Sequence, residues 1–191
     1  KAVHEVKWTQ RLLALFVLYK CAYWLLNFSL LFGENSLVYY RLVDLTFWRK
    51  PAFYLYNSLS VGTSTVFIIL SCVCALWILI GNKWKRITFL VLWFCITNIH
   101  NKVYSTLTGG DMLFQHFLFF SIFLTSGSIS TDWDKALHNT GVLALRIQLC
   151  IVYFYAGFAK LLDADWMSGK AVNDSLMIHD YSLPIYYSGL G

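Results

Sequence analysis

The chain has 191 residues, of which 58% are hydrophobic, 18% aromatic and only 13% charged. A water-soluble domain of this size cannot hide so much apolar surface, so the composition predicts an all-α integral membrane protein with lipid as its solvent. The net charge of +5 would mark acidic partners in a soluble protein; here much of it flanks apolar segments, so it reads as topology and not as nucleic-acid binding.

The polar opening KAVHEVKWTQR speaks against a cleavable signal peptide. The first predicted span, Leu12 to Phe32, is therefore expected to stay as an anchor, and its Lys20 must snorkel or face the bundle. Gly33, Glu34 and Asn35 end it. The link from Ser36 to Tyr56 sets Arg41, Asp44, Arg49, Lys50 and Pro51 among aromatic residues, which suits an interfacial segment at headgroup level.

Ser58 to Ile80 forms the second and cleanest span. A basic turn with Lys83, Lys85 and Arg86 leads to the third, Ile87 to Leu107, and Thr108-Gly109-Gly110-Asp111 turns into the fourth, Met112 to Leu124. After a polar loop from Ser126 to His138 comes the fifth, Thr140 to Leu162. The expectation is a multi-pass helical bundle with at least five transmembrane helices plus an interfacial segment, one transmembrane domain over residues 1–191. The start at Lys1 and the loop-like close at Gly191 suggest a domain that continues past the C-terminal end.

Orientation follows from the basic residues. Lys1, Lys7 and Arg11, with Lys83, Lys85 and Arg86, predict a cytoplasmic N-terminus, which puts Asp111 and Lys160 to Lys170 at the opposite face. The cysteines at 21, 72, 74, 95 and 150 all fall in apolar segments and read as small core hydrophobes. His4, His138 and His179 read as loop residues, and His100 and His116 lack a second ligand at metal-binding spacing.

Polar residues inside lipid are the natural candidates for function, because each must face protein or a wet cavity. Asn98 and Lys102 share a face of the third span, Asp111 and Gln115 share one of the fourth, and Arg146, Gln148 and Lys160 lie on the fifth. Lys102, Asp111, Gln115 and Lys160 are expected near one leaflet, in a shared polar pocket. The alternatives stay open: Asn98 and Gln115 as interhelical bonds, Asp111 as a helix cap, Arg146 as a structural ion pair. Lys160 reads either as a desolvated amine able to act as a general base or as a lysine snorkelling to headgroups beside Trp166.

The fifth span carries a resemblance. Arg146 and Gln148, Ile151 to Phe154, Ala156-Gly157, Lys160 and Leu162 to Trp166 resemble the corresponding helix of the vitamin K-dependent gamma-glutamyl carboxylases, within the wider horizontally transferred transmembrane domain family. One residue is inserted between Lys160 and Asp163 relative to that pattern. The resemblance implies Lys160 as a catalytic base on a reduced quinone such as vitamin K hydroquinone. Arg146, Gln148, Asn98, Lys102 and Asp111 would then line the ligand site. The rival expectation is a non-catalytic membrane subunit that binds membrane lipid, or that holds other membrane protein subunits together.

Overall fold

The computed structural model describes residues 2–33, 61–81, 84–124 and 131–177, and within them every regular element is helical. The helices are α1 (Ala2–Leu26), α2 (Phe28–Phe32), α3 (Val61–Ile80), α4 (Lys85–Lys102), α5 (Gly109–Ser121), α6 (Asp132–Leu162), α7 (Ala164–Met167) and α8 (Lys170–Met177). The chain falls into two compact units, residues 1–144 and 145–191, with α6 running across the division.

In the first unit α1 packs on α3, α3 on α4 and α4 on α5. The seam is drawn by three- and four-residue steps, which keep side chains on one helical face. Ala14, Val17 and Cys21 of α1 meet Ile68, Ala75 and Ile78 of α3; Phe89, Leu92, Ile96 and Ile99 of α4 complete the core with Leu118 of α5. The small residues Ala14, Cys21, Ser71 and Ala75 are buried along this seam and let the helices approach closely. On the outside, α3 exposes Val66, Ile69, Val73, Leu76 and Trp77. Such a contiguous apolar flank is a surface for contact with lipid or with another protein.

Two of the described helices, α3 and α6, are long and apolar enough to cross a membrane. This falls short of the five spans expected from hydropathy, and the shortfall has a physical basis. Helix α1 carries Glu5, Lys7, Arg11 and Lys20 in 25 residues, and α4 carries Lys85, Arg86 and Lys102 in 18. The 13 residues of α5 rise about 20 Å, short of a hydrocarbon core of about 30 Å.

Boundaries shift as well. Helix α1 begins at Ala2 and not at Leu12, and it breaks at Asn27, whose Nδ2 donates to the Tyr23 carbonyl at 2.9 Å. Helix α4 stops at Lys102, with a 3-10 turn at Tyr104–Thr106 in place of its expected last turn.

The expected loop up to His138 is helical from Asp132, so His138 is a buried helical residue and His4 lies within α1. The start of α6 is fixed by Thr131, whose Oγ1 accepts from the Asp134 backbone at 3.1 Å, and by the Arg86 to Asp134 ion pair at 2.7 Å. Further along α6, Gly141 lies against Phe123 and Leu124; a Cβ there would stand 3.0 Å from the Phe123 Cβ. Among the cysteines, Cys21, Cys74 and Cys95 are buried as expected, whereas Cys150 is exposed. The segment 36–56 and His179 lie outside the described residues.

In the second unit α6 ends where Asp163 caps α7, its Oδ1 accepting from the backbone of Asp165 at 2.9 Å and of Trp166 at 3.3 Å. Gly169, at φ 79°, makes the left-handed turn into α8. Along residues 145–162 the side chains of Ile147, Ile151, Tyr153, Phe154, Tyr155, Phe158 and Leu161 are all exposed.

Candidate functional site

A lysine in the middle of an apolar helix needs an anion, and α1 finds one at the start of α5. The Lys20 ammonium pairs with Asp111 Oδ1, and the Asp111 side chain is only 4% exposed. Asp111 does two jobs because of the sequence around it. Thr108 is the N-cap of α5: its backbone N–H and its hydroxyl both donate to Asp111 Oδ2, at 3.0 and 2.9 Å. The Asp111 backbone N–H donates back to the Thr108 hydroxyl oxygen at 3.3 Å, closing a capping box. The expected helix-capping role of Asp111 is therefore present together with an ion pair.

Two clefts share this pair. One, of about 260 Å³, is walled by Phe16, Tyr19, Leu113, Phe114 and Phe117. The other, of about 220 Å³, is walled by Tyr23, Trp24, Thr106 and Leu107. Both are lined by Tyr19, Lys20, Thr108 and Asp111, so charge and hydroxyl stand at the seam between aromatic walls. This suits an amphiphile, with its polar head on the pair and its body along the rings.

One helical turn below Asp111, Gln115 joins α5 to α4. Its Nε2 donates to Thr97 Oγ1 at 2.9 Å, leaving Oε1 to accept from His100 Nδ1 at 3.3 Å. That assignment makes a neutral His100 an acceptor at Nε2, an atom that is buried without a hydrogen-bond partner among the described residues. The His100 ring stands edge-on to Trp24 of the second cleft, with centroids 5.8 Å apart.

The other sequence candidates fall elsewhere. Asn98 is buried, but its Nδ2 donates to the Phe94 carbonyl of its own helix at 2.6 Å. Lys102 is half-exposed in the last turn of α4, and His116 bonds back to the Met112 carbonyl at 2.8 Å.

In the second unit Arg146 and Lys160 are exposed and Gln148 is half-exposed. On the unbroken α6, Arg146 and Gln148 stand about 21 and 18 Å from Lys160 along the axis. Lys160 Nζ lies 4.3 Å from the centroid of the Trp166 ring, a cation on an aromatic face.

Sequence reading did not pair Lys20 with Asp111 or assign Thr108 a role. The available signal was electrical: one cation deep in a span and one carboxylate at a turn, each costly alone in lipid. Among the described residues no three His, Cys, Asp or Glu side chains gather to hold a metal. Compared with protein-family models, curated proteins and solved structures, the chain matches none.

Proposed function

We propose that this chain is a multi-pass membrane protein whose first unit binds a lipid-soluble amphiphile at the Lys20 and Asp111 site, as a non-catalytic binding subunit. The observation that carries the reading is the ion pair of Lys20 and Asp111, its carboxylate buried, set between two aromatic-walled clefts. In this reading α1, α4 and α5 join α3 and α6 in the membrane, α1 because its central cation is neutralised by Asp111 and α5 because its polar start lies at the pair. A quinol or a lipid has the required chemistry: hydroxyl or ester oxygens for Lys20 and Thr108, and an apolar body for Phe16, Phe114 and Phe117.

Carboxylase-like chemistry, with Lys160 as base on a reduced quinone, rests on the resemblance of residues 146–166. It requires an enclosed amine, whereas Lys160 is exposed against Trp166. The exposed apolar flank of residues 145–162 supports the subunit reading, since lipid or a neighbouring membrane protein has to cover it.

The test is native mass spectrometry of protein extracted from membranes, with quinones and lipids identified in the released fraction. Retention of a quinone or lipid that is lost in the Lys20→Met, Asp111→Asn double variant supports the site. Equal retention by the double variant removes it.

A further inference from the structure

Away from the Lys20 and Asp111 pair, the first unit holds a cationic cluster with no neutralising carboxylate among the described residues. Lys85, the first residue of α4, is 93% buried (7% exposed), and its ammonium has no hydrogen-bond partner among the described residues. Lys7 and Arg11, one turn apart on α1, lie close enough that both act on it. Burial first, and then these two cations, push the Lys85 ammonium below the ordinary lysine range. Arg86 is already engaged by Asp134. Glu5, the carboxylate of that turn of α1, is exposed and forms no ion pair with these cations among the described residues.

A buried, unpartnered ammonium beside two further cations calls for an anion. The source of that anion is indicated by the tryptophans that adjoin these residues in the sequence. Trp8, Trp84 and Trp133 adjoin Lys7, Lys85 and Asp134 in sequence and are 52, 70 and 72% exposed. The Trp8 ring lies 5.6 Å under the Arg11 guanidinium, and Trp84 holds its ring out from a left-handed backbone at φ 61°. Exposed indoles next to cations in the sequence are what the level of lipid headgroups selects. A strained, non-glycine left-handed residue next to the buried ammonium fits a built site.

We propose that Lys7, Arg11 and Lys85 bind the phosphate of an anionic phospholipid headgroup, with Trp8 and Trp84 against its glycerol region. This rests on the membrane reading, but it concerns a different end of the unit from the amphiphile site.

The experiment incorporates the whole protein into nanodiscs of mixed phosphatidylglycerol and phosphatidylcholine and measures the lipid retained on transfer to detergent. The wild type is expected to retain the anionic lipid in preference. Lys85→Met, and separately Lys7→Gln with Arg11→Gln, should each lower that preference about fivefold per cation removed, while Lys170→Gln leaves it unchanged.

Lys85→Met removes an uncompensated charge, so its melting temperature in neutral detergent reports folding independently of lipid. Equal retention of both lipids by the wild type, or an unaltered preference in both variants, overturns the proposal. Displacement of the lipid by millimolar inorganic phosphate overturns the assignment to lipid. Failure of the protein to enter membranes at all sinks the membrane reading itself, a result separable from loss of preference.

Discussion

Lys20 and Asp111 are joined in an ion pair although 91 residues separate them, and the same carboxylate closes the N-terminus of α5 through Thr108. With Asp111 4% and Lys20 18% exposed, removing either partner strands a charge in a poorly solvated place. Lys20→Met is expected to destabilise the first unit by about 3–5 kcal/mol, and Lys20→Met combined with Asp111→Asn to recover most of that. Unfolding in detergent for the four members of this cycle measures it; additive losses would show that the two groups do not interact.

Thr108 tests the cap apart from the pair. Thr108→Ala removes one donor and the acceptor of the capping box and is expected to cost about 0.5–2 kcal/mol, while Thr108→Ser should stay close to wild type. An alanine variant as stable as the serine variant would mean that the box adds nothing.

Lys85 sets the response to alkali. Its folded pKa lies below the ordinary value, so the unfolded state binds more protons across the interval between the two. Stability in neutral detergent should therefore rise with pH from the folded pKa up to about 10.5, the ordinary lysine value. Lys85→Met should flatten that rise, and so should added phosphatidylglycerol. Melting curves in neutral detergent across the alkaline range, with and without the lipid, provide the check.

At Gly141 an added methyl would meet the Phe123 Cβ at 3.0 Å and a Leu124 methyl at 3.1 Å. Gly141→Ala is expected to be destabilising by about 1–3 kcal/mol, because both neighbours belong to packed structure and must move. Gly157, with nothing within 4 Å, is the matched control: there the same change should be harmless or mildly stabilising in a helix.

Lys160→Ala separates the two functional readings. Since the amine is exposed on Trp166 and remote from Arg146, ligand retention at the Lys20 and Asp111 site should be unchanged. Any quinol-dependent carboxylation lost in this variant would restore the catalytic reading.

The helical class was legible because the apolar residues fall in long runs of membrane-helix length, and the clean run to Ile80 gave α3 nearly in full. Span counting fared worse, since hydropathy averages over charges that only tertiary structure can place. Lys20 was expected either to snorkel or to face the bundle, and what decides between the two is Asp111, three predicted spans further along the chain. The start of α6 was hidden for a different reason. Asp132, Trp133 and Asp134 look polar and loop-like, yet acidic residues in a first turn, Thr131 as cap and Arg86 as partner favour a helix there. Gln115 was correctly placed near Asp111 by its four-residue spacing, but its bonds to Thr97 and His100 depend on the rotation of α4, which spacing alone does not give.

The ion pair also fixes an order of events during synthesis. Lys20 leaves the ribosome 91 residues before Asp111, a delay of roughly 5–18 s at ordinary elongation rates. Throughout that interval Lys20 lacks the carboxylate that pairs with it in the folded unit, so the seat of α1 against α5 cannot yet form. Its final seat becomes available only when α5 arrives, and the first helix made is among the last to settle.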